Sequence, residues 1–323
     1  MKLLTIIVLA LAGLYSAYWF IAARTLDGQL QSGLAAAVAQ GWQIESESLT
    51  TGGYPSRFDV TARDLTVTTP GGDVTWRAPV VETAALSYAP NRVILALPPS
   101  QTVAVQGQTV TIGSDGLRAS LGVAANTSLA LDTLTAEARA LDLVSDRGWS
   151  WKTGAALLAL RPDGTTPGSY DAYLGLANVT PGVALSAAPD GPAQVTVDAT
   201  VQLDRPLDRT GLAGAPPQVQ QLSLTTAEVT WGDLRLVADG AIDVDATGVP
   251  TGQILLALTG WQDVLTLIAE AGLLDPGLLS VIRNGASFMA AGQDTLTMPL
   301  TFADGAMALG PIPIGPAPRL ILR

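Results

Sequence analysis

Cysteine and histidine are both absent from the 323 residues. Without a thiol or an imidazole the chain can form no disulfide, no Ser-His-Asp or Cys-His nucleophile, no zinc finger and no thiolate-held iron-sulfur cluster. Carboxylate, hydroxyl and binding chemistry remain. Positive charge is also scarce: 17 lysines and arginines stand against 28 acidic residues, for a net charge of -11. That field repels a phosphate backbone, so nucleic acid is not an expected partner. Aromatic residues, at 5%, are too few for a sugar-stacking platform or a ladder of base-stacking rings. No Walker A loop, GxGxxG fingerprint or GxSxG elbow occurs, and neither a cofactor nor a metal is expected.

What the chain does have is a long apolar run at its start. Leu3 to Ala23 is 21 residues without a formal charge, bracketed by Lys2 and Arg24. As a helix it is about 31 Å long, which matches a hydrocarbon core of about 30 Å. Tyr15, Tyr18 and Trp19 gather toward its end, where amphipathic rings favour the headgroup layer, and Arg24 can extend its guanidinium into the same layer. These four are the expected membrane-interface anchors. A cleaved secretory signal would have a shorter apolar core and a small-x-small site, whereas Ala23 is preceded by Ile21 and Ala17 by Tyr15. An uncleaved, single-pass signal anchor over 1–24 is therefore expected. The short basic tail places the amino terminus in the cytoplasm and the remainder across the membrane, an inner-membrane protein facing the periplasm.

Leu26, Leu30, Leu34, Val38 and Trp42 recur at every fourth position, which predicts an amphipathic juxtamembrane helix over 25–42 packing on the domain that follows. From residue 43 the period becomes two. Val195, Val197, Ala199, Val201 and Leu203 alternate with polar neighbours, as a strand with one wet face does. Phe58, Val60 and Ala62 share one phase and Leu65 and Val67 the opposite one, which predicts a bulge near Arg63 and Asp64. Turn signals at Pro70 to Asp73, Ala89 to Asn91, Gln106-Gly107, Asp115-Gly116 and Asp239-Gly240 imply antiparallel meanders. Gly- and Pro-dense stretches at 161–169 and 211–218 are the places where the β-rich region, 43–323, would divide into lobes. Trp261, Val264, Leu265, Ile268 and Ala271 then define a helix stopped by Gly272, and Asp275-Pro276 opens a second helix ending near Gly292. The predicted fold is mainly β: a large curved antiparallel sheet with an N-terminal transmembrane helix and a C-terminal helical hairpin.

Candidate chemistry is thin. Asp243-Val244-Asp245-Ala246-Thr247-Gly248 begins like a calcium loop, but its twelfth position is Ile254 where a bidentate Glu is required, so a strand and turn are expected. Glu45 and Glu47 resemble an acid pair only as two neighbours on a solvated strand do. A Ser-Lys dyad would need Ser150 with Lys152, and nothing local removes water from that lysine. No catalytic residue is assigned, and an enzyme is not expected. An aliphatic sheet face beside a bilayer could instead hold an acyl chain, or be filled by the C-terminal hairpin.

Four landmarks carry a resemblance: Gly53-Tyr54-Pro55-Ser56-Arg57-Phe58, the turn Leu86-Ser87-Tyr88-Ala89-Pro90-Asn91, Gly248-Val249-Pro250-Thr251-Gly252, and Pro299-Leu300 leading through Asp304-Gly305 to Leu309-Gly310-Pro311. In this order they resemble an uncharacterised bacterial envelope family, domain of unknown function 2125. The strand-turn texture is more loosely similar to the AsmA-like envelope proteins. Resemblance implies an envelope location and contact with membrane lipid, and a motif at Tyr54, Pro55, Arg57 and Phe58 that serves either register or binding; envelope proteins are further expected partners. The expected role is a non-enzymatic envelope protein that binds lipid in a sheet groove; the alternative is a scaffolding or accessory subunit of a membrane complex.

Overall fold

The computed structural model describes residues 2–182, 187–213, 216–272 and 275–321. It is mainly β and antiparallel in every pairing described, with one long apolar helix at the start and a pair of helices near the end. Contacts divide the chain into two units, 1–122 with 142–148, and 123–141 with 149–323. The boundary therefore falls near residue 122 rather than at either Gly- and Pro-dense stretch. Residues 163–168 prove to be a hairpin turn inside the second unit, and 211–218 lies there too, with 214–215 outside the described residues. Composition marked where the chain turns; which strands pair decides where a unit ends.

In the first unit, helix α1 (Lys2–Ala39) runs 38 residues without interruption through Arg24. It is long and apolar enough to cross a membrane by length and composition. It stops three residues short of Trp42 because Gly41 closes a left-handed cap, with the Trp42 amide donating to Ala37 and the Gly41 amide to Val38. The strands that follow are β1 (Gln43–Glu45), β2 (Ser48–Gly52), β3 (Arg57–Thr68), β4 (Val74–Leu86), β5 (Ala89–Ala96), β6 (Ser100–Val105), β7 (Gln108–Asp115) and β8 (Arg118–Val123). β3 and β4 form the spine. β1 and β2 share the outer edge of β3, β5 and β6 share that of β4, and β8 and β7 continue outward from them. Residues 142–148 return to this unit: β10 (Ala140–Ser145), which follows β9 (Leu131–Ala138) in the chain, pairs with β7, and Thr109 exchanges hydrogen bonds with Asp146.

The phase change expected near Arg63 and Asp64 is present, with Asp64 at φ 47°, but it is not a bulge. It falls opposite Pro79, which has no amide to offer, and the β3/β4 register is the same on either side. Both strands switch parity together. Ala62 and Leu65 consequently lie in one cluster with Ala78, Val81 and Trp76, and the apolar face stays continuous while the sequence phase inverts.

The second unit is a meander. β9 pairs with β12 (Ala156–Pro162), then β13 (Ser169–Pro181), β14 (Ala193–Leu203), β15 (Val219–Trp231), β16 (Leu234–Val244), β17 (Pro250–Thr259), β18 (Thr295–Ala303), β19 (Ala306–Leu309) and β20 (Ile312–Pro316) follow in order. β11 (Ser150–Thr153) pairs with the far end of β13, and the short α2 (Arg209–Ala213) precedes β15. Two expected turns lie elsewhere. β4 and β5 turn at Ser87-Tyr88, two residues before Ala89-Pro90-Asn91, and β15 and β16 turn at Gly232-Asp233. Asp239-Gly240 is instead inside β16, where Gly240 has φ 138° and a Cβ would stand 2.4 Å from the Gln253 carbonyl oxygen. That glycine answers a close approach of β17, the other reason for glycine in a strand.

Helices α3 (Trp261–Glu270) and α4 (Pro276–Ala290) form the hairpin read from the sequence. Asp275 accepts from the Gly277 and Leu278 amides, and Pro276 occupies the first turn. The hairpin closes over the sheet with Trp261, Leu265, Ile282, Ala286, Leu296, Met298 and Ile312 in one buried cluster.

Candidate functional site

The apolar face of β3 and β4 meets α1, and there the two residue sets singled out in the sequence come together. On α1, Tyr15, Trp19, Ala23, Leu26 and Leu30 fall three or four residues apart, so one stripe runs from the apolar run into the polar half of the helix. Trp19 and Ala23 are buried against Phe58, with Ala22 and Leu26 beside them. The Trp19 ring stacks on Phe58 at 5.6 Å between centroids and meets Tyr54 edge-on at 5.4 Å, and Phe20 stacks on Tyr54 at 5.5 Å.

Hydrogen bonds then fix the helix to the turn at 53–57. Trp19 Nε1 donates to the Arg57 carbonyl at 2.8 Å, and Tyr18 Oη donates to the Ser87 carbonyl at 2.8 Å. Tyr15 Oη donates to the Pro55 carbonyl at 3.0 Å and lies 2.7 Å from Ser87 Oγ. Each hydroxyl has a single proton, so with Tyr15 donating to Pro55 the Ser87 proton is shared between Tyr15 Oη and the same Pro55 carbonyl, 3.3 Å from Ser87 Oγ. By the same count Ser16 Oγ donates to the Ala12 carbonyl, and Tyr54 Oη donates to Ser16 Oγ at 2.7 Å. About two helical turns beyond Trp19, Thr51 Oγ1 donates to Asp27.

The turn itself is tightly built. Tyr54-Pro55 is a cis peptide, the Arg57 amide donates to the Gly53 carbonyl at 2.9 Å, and the Ser87 amide donates to the Ser56 carbonyl at 3.0 Å. Gly53 has φ 97°, and a Cβ there would stand 2.8 Å from the Arg57 carbonyl oxygen. Arg57 pairs with Asp59 at 2.9 Å, leaving Asp59 Oδ1 buried with no hydrogen-bond partner among the described residues. Of the expected motif, Phe58 and Tyr54 grip the helix through their rings, while Pro55 and Arg57 do so through their carbonyls. Of the expected interface anchors, Tyr15, Tyr18 and Trp19 have their polar atoms taken by protein groups; Arg24 is exposed. Ser16 and Ser87 were not singled out in the sequence. Ser87 is fully buried at 0% exposure, and its only local signal is its place in the Leu86-to-Asn91 run.

Above this contact α1 lifts from the sheet and leaves a groove of about 640 Å³. Its floor is Val60, Thr83, Ala85 and Val93 and its wall is Tyr18, Ala22, Leu26 and Leu30, with Thr25 and Gln29 at the rim. Volume and apolar lining are those of a small-molecule site. Leu34 and Val38, further along the helix stripe, are exposed.

Elsewhere the candidates of the sequence resolve into local structure. Asp245 accepts from the Thr247 and Val249 amides and from Thr247 Oγ1, a turn closing β16, and the Val249 amide in particular holds its carboxyl below the usual range. Glu45 is on β1 and Glu47 just beyond it, both exposed; Ser150 and Lys152 are on β11. No group of three or more acidic side chains converges as a cation site among the described residues. No curated protein and no solved structure matches the chain. A family model described as "Uncharacterized protein conserved in bacteria (DUF2125)" matches residues 19–318, most of the chain, and the chain belongs to that family.

Proposed function

We propose that α1 anchors the chain in the bacterial inner membrane, that the strand-built remainder stands in the periplasm, and that the groove between α1 and the β3–β5 face binds the acyl chain of a membrane lipid. The observation that carries this reading is the groove's position. Its wall is the same helical stripe that emerges from the apolar run, so an acyl chain leaving the bilayer beside Tyr18 meets apolar side chains over residues 18 to 30, about 18 Å of helix. Tethering also holds the groove at high effective lipid concentration. The role is binding rather than catalysis, in keeping with a chain that has no imidazole or thiol.

The test is lipid mass spectrometry on the full chain purified in mild detergent, beside Ala85→Phe, which places a ring on the groove floor. Lipid retained by the parent and lost in the variant is the expected result; equal lipid in both, or none in either, overturns it. A phosphatase fused at the C-terminus is expected to be active, and fluorescence from a cytoplasm-only reporter there would reverse the orientation.

A second reading, an accessory subunit of a membrane complex, rests on α4 in the second unit. Phe288 is 88% exposed on its outer face, and Val281 is also exposed two turns earlier. Phe288→Asp is expected to release a co-purifying partner while leaving the lipid content unchanged.

A further inference from the structure

We infer that the tip of the first unit, the turn at 53–57 together with the Leu86–Tyr88 corner, is inserted in the near leaflet of the same bilayer that α1 crosses, as a second membrane contact. This rests on the anchored reading above. The first argument is length. Tyr54 meets the helix at Ser16, and from Leu3 to Ser16 the helix rises only about 20 Å, whereas the hydrocarbon core is about 30 Å thick. With Lys2 in the far headgroup layer, an upright helix leaves Ser16 about 10 Å short of the near hydrocarbon boundary, so the tip is drawn into the near leaflet, and tilt carries it deeper.

The second argument is polar satisfaction. Backbone entering a region poor in water must have its carbonyls and amides paired within the protein. At this tip the carbonyls of Gly53, Pro55, Ser56, Arg57 and Ser87 accept from the Arg57 amide, Tyr15, the Ser87 amide, Trp19 and Tyr18. Arg57 is paired with Asp59. The third argument is what faces outward. Tyr88 is 74% exposed and Tyr54 52%, and Leu86 of the same corner is exposed as well; amphipathic rings and an apolar side chain suit the bilayer interface and are poorly suited to bulk water.

The chain has no native cysteine, so single thiols report single sites. Leu9→Cys, Tyr88→Cys and Thr111→Cys in the full chain, each carrying a polarity-sensitive fluorophore, are reconstituted in phosphatidylethanolamine and phosphatidylglycerol vesicles with a shallow doxyl-lipid quencher. Thr111 is exposed and pairs through Thr102 to Arg77, nine residues along β4 from Leu86 or about 30 Å. The expected result is strong quenching at Leu9 and Tyr88 and none at Thr111. Quenching at Leu9 with Tyr88 behaving like Thr111 overturns the inserted tip and leaves the anchor standing. Loss of quenching at Leu9 as well overturns the anchor and the tip together. Leu86→Cys repeats the measurement from the neighbouring strand end should the label at Tyr88 disturb the turn.

Discussion

Each unit lays helix across an antiparallel sheet, yet the two do it in opposite ways. In the second unit α3 and α4 close on β16 to β20 with side chains packed to exclusion: Ala286 is 0% exposed, and Ile282, Leu296 and Met298 are buried around it. In the first, α1 is held at one end by rings and hydrogen bonds to carbonyls and then stands off the sheet over an apolar groove. Small residues explain the difference. Ala286 and Ala290 face the sheet on α4 and let that helix approach closely, whereas Tyr18 and Trp19 on α1 act as spacers beside Ala22. A sheet face is filled or open according to the size of the helix residues set against it.

The comparison can be broken by truncation. Ile282→Ala is expected to cost roughly 2 to 5 kcal/mol in urea unfolding, because a packed site cannot collapse around the lost atoms. Trp19→Phe keeps the ring but leaves the Arg57 carbonyl without its donor; a loss of roughly 1 to 3 kcal/mol is expected, read as faster amide exchange at 54–58. Leu30→Ala, on the groove wall, is expected to cost less than about 1 kcal/mol, since its side chain already borders open space. A cost for Leu30→Ala equal to that for Ile282→Ala would mean the groove is packed like the hairpin.

Acid sharpens the comparison from the other side. In the second unit Asp163 is held far below the usual carboxylate range by the Thr165 hydroxyl first, then by the Ser169 hydroxyl and the Thr165 amide; Asp208 and Asp245 are lowered by similar turns, led by Thr210 and by the Val249 amide. A lowered folded pKa stabilises above the unfolded value, about 3.9, and that contribution fades as pH falls below it. Stability followed by circular dichroism is therefore expected to be level above about pH 5 and to decline below about pH 4, and Asp163→Asn is expected to lessen the decline by a small margin. A decline unchanged in that variant would assign the acid sensitivity elsewhere.

Local chemistry was the legible part of this sequence. Asp275-Pro276 opening α4, Gly272 ending α3, Gln106-Gly107 as a two-residue turn and the parity change at Asp64 all follow from residues that act within a few positions of themselves. Asp239-Gly240 is a strand position and not a turn because glycine serves close strand approach as well as turning, and the β4–β5 turn lies at Ser87-Tyr88, leaving Pro90 inside a strand. The candidate site was half legible. Tyr15, Tyr18 and Trp19 carry an amphipathic chemistry that lipid headgroups and backbone carbonyls satisfy equally well, so their residue types do not encode which of the two they meet. Their partners lie 38 to 72 positions away, and no periodicity encodes a pairing at that range. Ser87, a small hydroxyl in a turn, has no pattern that predicts its burial.

The matched switch at Asp64 and Pro79 has a consequence for which changes in length the spine can absorb. Deleting Asp64 alone would keep Leu65 and Val67 in step with Ala62 but leave Pro79 without a counterpart, so the pairs Leu65–Ala78 and Val67–Trp76 would persist only around a one-residue bulge in β4. Deleting Pro79 alone would leave Asp64 as the extra residue, with the bulge in β3. Only the double deletion would restore alignment, so these two positions, fifteen apart in the chain and side by side in space, form a compensating pair whose joint removal should be gentler than either loss by itself.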